Sequence, residues 1–179
     1  KTSCFAPNTS QLVVSGVAEW AARLANRRMA GRARPSLMPL STVNARLDAL
    51  RTGDAAAVEA FIWLLLAARE SGNTVFFIGN GGSAATASHF ANDISIGTRT
   101  GDKKPFRAVS LTDNVAVMTA LANDEGYDRM FVDQLRVHMR AGDSLVAISA
   151  SGNSPNLIEA VDYATSRGAT VIGLTGFDG

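Results

Sequence analysis

The feature that most constrains this chain is a regular alternation, from Asn73 onward, of short apolar runs with helical stretches. Thr74–Ile78, bounded by Gly72 and Gly79, reads as a buried strand. A continuous run of valine, phenylalanine and isoleucine suits a strand covered on both faces. A helix over 83–96 follows, then a strand at Phe106–Leu111 and helices at Asn114–Asn123 and Tyr127–Met139. The pattern closes with a strand at Leu145–Ser149, a helix at Asn156–Arg167 and a strand at Thr170–Thr175. Strands separated by helices predict a parallel sheet with helices on both faces. Right-handed crossovers then predict an α/β fold, a three-layer αβα sandwich with a doubly wound sheet in flavodoxin-like order 2-1-3-4-5.

The segment upstream reads differently. Residues 1–37 carry Pro7, Pro35, Gly16 and Gly31, and a basic cluster of Arg23, Arg27, Arg28, Arg32 and Arg34. They are expected to form an N-terminal extension with a helix from Ser15 to Met29 and a solvated basic face. The domain itself is expected over 38–179, with Ser41 or Thr42 capping a helix that runs to Leu50. A second helix is expected from Asp54 to Glu70, with Val58, Phe61, Ile62, Leu65 and Leu66 at helical spacing. Its stretch Phe61–Leu66 is so apolar that burial on more than one side is expected, as at a subunit interface.

Composition excludes several classes of function. The 179 residues carry a net charge of only +1, too little concentrated positive charge for nucleic acid to be the main ligand. The longest apolar run, Phe61–Ala68, is too short to span a bilayer, so no membrane partner is expected. Lys1 to Phe5 do not open a signal peptide. Cys4 is the single cysteine, which excludes an intrachain disulfide and a cysteine zinc cluster and favours a reducing, cytoplasmic setting.

Two loops carry the chemistry. The first, "GNGGSAATASHF", follows a strand and opens a helix. Gly79, Gly81 and Gly82 allow a sharp turn and close approach to a ligand. Ser83 falls at the helix start, where N–H groups and the positive dipole end favour an anion. The spacing fits neither the P-loop nor the dinucleotide fingerprint, so a tight turn with a helix cap and an anion site are both open. The second loop, "SASGNSPN", offers the hydroxyls of Ser149, Ser151 and Ser154, with Gly152 for close approach and Pro155 suited to a first helical turn. Hydroxyls and amides hold a phosphate without a local lysine or arginine. In the expected strand order the two loops follow the strands that flank the switch point, so Asn80–Ser83 and Ser149–Ser154 are expected to grip one phosphate together.

The helix after the first loop adds His89 and Asp93, four apart on one face. That pair suits a divalent metal, a proton-transfer pair, or a plain surface ion pair. His138, between Arg136 and Arg140, reads as a surface residue.

"GNGGSAATASHFAND", "SASGNS" and "LTGFDG" together resemble the sugar isomerase (SIS) family, over about Met38 to Gly179. "LTDNVAVMTALANDEGYD" resembles the segment these proteins carry between their second and third strands. The resemblance implies an aldose–ketose isomerase acting on a sugar phosphate, interconverting sedoheptulose 7-phosphate and D-glycero-D-manno-heptose 7-phosphate, in a homotetramer with sites at subunit interfaces. It also admits a non-catalytic regulator that binds sugar phosphate, or a protein that associates with the replication initiator. By position it implies that Asn80, Gly81, Gly82, Ser83, Ser149, Ser151 and Ser154 bind phosphate and sugar, with Asp113 or Asn114 near a further site position. His89 falls on a metal-ligand position, implying Zn2+. Asp93 falls on the acidic residue that moves the proton, and that residue is usually a glutamate also bound to zinc, one methylene longer. The family continues past "LTGFDG" with a strand and a helix bearing a further Gln and His, so the resemblance implies a chain cut short at Gly179.

Overall fold

The protein is represented by a computed structural model that describes residues 11–15, 55–99, 101 and 103–176. In chain order its elements are β1 (Gln11–Ser15), α1 (Ala55–Ser71), β2 (Thr74–Gly79) and α2 (Gly82–Asn92), which runs into a π-helical turn at Asp93–Gly97. Then come β3 (Arg107–Ser110), α3 (Val115–Asp124), a 3-10 turn at Tyr127–Arg129 and α4 (Val132–His138). The chain finishes with β4 (Ser144–Ser149), α5 (Pro155–Ser166) and β5 (Thr170–Thr175).

The sheet is parallel throughout, in the order β1-β5-β4-β2-β3. The four strands expected from the sequence therefore lie in the flavodoxin-like order. The fifth, β1, was not expected and pairs with the outer side of β5, Gln11 against Val171 through Ser15 against Thr175. It replaces the start of the helix expected from Ser15; the remainder of that helix, and the one expected to end at Leu50, lie outside the described residues. The helix expected over Tyr127–Met139 is divided into a 3-10 turn and α4, and Met130 and Phe131 between them keep right-handed helical dihedrals. Both are buried.

Strand pleating divides the core in two. Phe76 and Ile78 of β2 point to one face with Leu145 and Ala147 of β4, where they meet Phe131 and Leu135 from around α4 and Leu157 and Val161 of α5. Val75 and Phe77 point to the other face with Val146 and Ile148, against Ala87 and Ala91 of α2 and Ala68 of α1. Successive side chains on a strand face opposite ways, so one apolar run supplies both layers. Small residues on α2 let that helix lie close to the sheet, and Phe90 stacks on Phe77 at 5.9 Å between ring centroids.

The helix α1 departs from expectation. Within one chain only Ala68 of its described side chains is buried, while Val58, Ile62 and Trp63 stand 47%, 50% and 62% exposed. The helix α3 has no buried residue at all, although it reads VAVMTALAND. Both helices thus keep an apolar face outward, and the burial expected for α1 is not met inside the chain.

Phe77 is fully buried at the centre of one layer. Its truncation to alanine removes the ring and leaves a cavity, so Phe77→Ala is expected to lower unfolding free energy by about 3–5 kcal/mol in urea titrations.

Candidate active site

The two loops read from the sequence leave neighbouring strands, β2 and β4, at their carboxyl ends. Each leads straight into a helix start. The helix α2 has Gly81 at its N-cap and α5 has Ser154, and neither makes a side-chain capping bond. The first-turn N–H groups of both helices therefore have no side-chain acceptor, and the positive ends of two helix dipoles open at the same end of the sheet.

Local chemistry dictates these turns. Gly81 sits at φ 54°, a left-handed conformation that glycine tolerates. A Cβ on Gly79 would stand 2.6 Å from the carbonyl oxygen of Ser83, so strand end and helix start touch through backbone alone. The Ser83 N–H donates to Asn80 O at 2.9 Å and closes the turn. In the second loop the Gly152 N–H donates to Ser149 Oγ at 3.0 Å, and the Asn153 N–H donates to Ser151 Oγ at 3.3 Å. Ser149 is buried and shapes the loop, whereas Ser151 is exposed and Ser154 half-buried.

What joins the loops is an amide pair that the sequence reading missed. Asn80 Nδ2 donates to Asn156 Oδ1 at 2.9 Å, and Asn156 Nδ2 donates to Asn80 Oδ1 at 2.8 Å. Tyr127 Oη donates to the same Asn80 Oδ1 at 3.1 Å. Asn156 is 0% exposed, yet lies in the first turn of α5 directly after Pro155. A buried amide needs its bonds made, so the pair fixes the spacing of the two loops. The one signal available in the sequence was a polar residue at a core-facing position of a helix start.

On α2, His89 Nε2 and Asp93 Oδ2 approach to 3.1 Å, both largely exposed. Asp93 opens the π-helical turn, whose backbone is held by Ser95 Oγ donating to Ala91 O and Thr98 Oγ1 donating to Ile94 O, each at 2.6 Å. Single-turn π segments within helices often accompany functional residues. His89, Asp93, Thr86 and Phe90 line an open cavity of about 390 Å³. An imidazole and a carboxylate converging this closely suit two ligand positions of one divalent cation. Tetrahedral zinc needs two more donors. Among the described residues no third His, Cys, Asp or Glu joins them.

The remaining expected site residues lie on the loop after β3. The Ser88 hydroxyl bonds both the Asp113 carboxylate and Thr112 Oγ1, and Thr112 Oγ1 reaches Ser110 Oγ at 2.6 Å. This hydroxyl chain ties α2 to the loop. Asn114 instead caps α3, its Oδ1 accepting from the Val117 N–H at 3.1 Å. His138 is exposed, as expected.

A parallel α/β sandwich with two helix starts that lack side-chain caps at the carboxyl end of its central strands has the arrangement that favours an anion. Residues 40–176 match the SIS domain, and the chain belongs to that family. A phosphoheptose isomerase from Rhodospirillum rubrum is 42% identical over 131 residues, 73% of this chain and 69% of that protein. Another from Citrifermentans bemidjiense is 40% identical over 123 residues, 69% of this chain and 64% of that protein. Among solved structures, a phosphoheptose isomerase from Neisseria gonorrhoeae superposes with a TM-score of 0.68 at 37% identity, covering 89% of this chain and 77% of that one. One from Francisella tularensis gives 0.66 at 28% identity, covering 79% and 77%.

Replacing Asn156 by leucine keeps volume but leaves the Asn80 amide short of two bonds. Asn156→Leu is expected to destabilise the fold by about 1–3 kcal/mol. It is also expected to remove most of the thermal stabilisation that a sugar phosphate gives, read by melting curves with and without ligand.

Proposed function

We infer that the chain is an aldose–ketose isomerase that interconverts sedoheptulose 7-phosphate and D-glycero-D-manno-heptose 7-phosphate. The observation that carries this reading is the pair of uncapped helix starts locked side by side by Asn80 and Asn156. The isomerase names of relatives about 40% identical support the reaction type.

In this reading the loops Asn80–Ser83 and Ser149–Ser154 take the phosphate, with Ser151 and Ser154 offering hydroxyls. The phosphate grip orients a part of the sugar remote from the reacting carbons and lowers the entropy cost of reaching the transition state. Asp93 then acts as the base. Its carboxylate removes a proton from C1 of the ketose, the electron pair forms the C1–C2 double bond as the carbonyl π pair moves to O2, the O1 hydroxyl proton passes to O2, and the carboxyl returns its proton to C2 as the C1=O bond of the aldose forms. Atoms are conserved and no external reductant is needed. His89 holds the Asp93 carboxylate in place at 3.1 Å. A Zn2+ ion bound by His89 and Asp93, with further donors from outside the described residues, would supply Lewis-acid polarisation of the carbonyl oxygen.

The outward apolar faces of α1 and α3 support a homo-oligomer, in the form of a homotetramer. A cytoplasmic setting fits the single cysteine. Among the described residues no helix is long and apolar enough to cross a membrane.

Two outcomes test the proposal. Asp93→Asn is expected to bind sugar phosphate as the parent does, because the phosphate loops are untouched, but to lose at least about 100-fold in kcat, since it removes the carboxylate that serves as base and would help to hold the metal. Undiminished turnover in a coupled isomerase assay would remove Asp93 from the mechanism. Separately, Ile62→Asp on α1 is expected to shift the protein to smaller assemblies in sedimentation velocity, because it places a charge on an apolar contact face.

A further inference from the structure

Away from the phosphate loops, a groove of about 320 Å³ runs along β3. Its order in the sheet makes β3 an edge strand, so the groove lies beside a side that no other described strand covers. Apolar walls come from Phe76, Leu111 and Val117, and three basic side chains line it from three separate elements. Arg107 comes from β3, His138 from the last turn of α4, and Arg140 from the segment before β4. Among the described residues no aspartate or glutamate lines it.

The nearby carboxylate is already committed. Asp143 is buried, and its two oxygens accept the backbone N–H groups of Thr74 at 2.7 Å and Arg140 at 2.8 Å. The Arg107 Nε donates to Thr74 Oγ1 at 3.3 Å, which anchors the guanidinium at the groove without neutralising it. Among the described residues no carboxylate side chain pairs with Arg107, His138 or Arg140. Elsewhere on the surface, by contrast, Arg129 and Arg136 both pair with Asp133. Two guanidiniums that form no ion pair among the described residues, beside apolar side chains, suit an anion that carries an apolar body.

The groove also lies apart from the phosphate loops. None of its lining residues belongs to either loop, although the groove runs from Thr74 and Arg140 at the amino end of the strands to Leu111 and the expected site residue Asn114 beyond the carboxyl end of β3.

We propose that this groove is a second ligand site, which takes a small phosphate monoester or a free carboxylate with an apolar or aromatic body. It stands whether or not the isomerase reading holds, because none of its basic residues belongs to the phosphate loops. Phenyl phosphate titrated into the full chain by calorimetry tests it, with three proteins compared: the parent, Arg107→Gln/Arg140→Gln, and Ser151→Ala/Ser154→Ala. The parent is expected to show two classes of site. The arginine variant is expected to lose one class by at least about tenfold in affinity and to retain the other, which also reports that it is folded. The serine variant is expected to keep the class that the arginine variant loses. An arginine variant that titrates like the parent overturns the proposal, whereas a parent with a single class that only the arginine variant loses upholds it and counts against the phosphate loops. A second measurement needs no variant: phenyl phosphate is expected to slow carbethoxylation of His138 by diethyl pyrocarbonate, read by mass spectrometry. An unchanged rate at His138 counts against the site.

Discussion

The reciprocal hydrogen bonds between Asn80 and Asn156 hold two loops that are 76 residues apart in sequence. Each amide is both donor and acceptor, so the pair closes without needing water or a charged partner, and burial makes any alternative costly. Tyr127 adds a third bond from the turn before α4. The geometry of the phosphate cleft follows from this one contact, because both helix starts move with the asparagine beside them.

Around that contact the sheet provides rigidity. The inner strands β2 and β4 are buried along their whole length, with apolar side chains going alternately to two separate layers. The helix α2 packs against one of these layers through alanines and carries His89 and Asp93 on its opposite, exposed side. One helix therefore supplies the start of the anion cleft, a core face and a pair of reactive groups. The hydroxyl chain from Ser88 through Thr112 to Ser110 ties the same helix to the edge strand β3.

Exposure on α1 and α3 gives the molecule a second character. Trp63, Ile62 and Val115 are more exposed than large apolar residues in a lone chain need to be. The exposed His89–Asp93 pair has room on its open side for groups from another chain.

Much of this was legible in the residues. The expected strand at Thr170–Thr175 matches β5, and the other three expected strands agree with β2, β3 and β4 to within a residue. Continuous apolar runs bounded by glycine leave few alternatives to a buried parallel strand. The loops were legible because glycine and serine clusters between a strand and a helix have a limited set of conformations. The change from 3-10 to α geometry before α4 was not, since Met130 and Phe131 keep helical dihedrals through it. Nor was β1, whose five residues carry no signal of which edge they will join. The sequence by itself determined the order of elements, the strand and helix periods and the anion-friendly chemistry of both loops, because these depend on near neighbours along the chain. Only the tertiary structure decided that Asn80 meets Asn156, that α1 keeps its apolar face outward and that Arg107, His138 and Arg140 share a groove. Those facts depend on distances across the sheet, which no local pattern encodes.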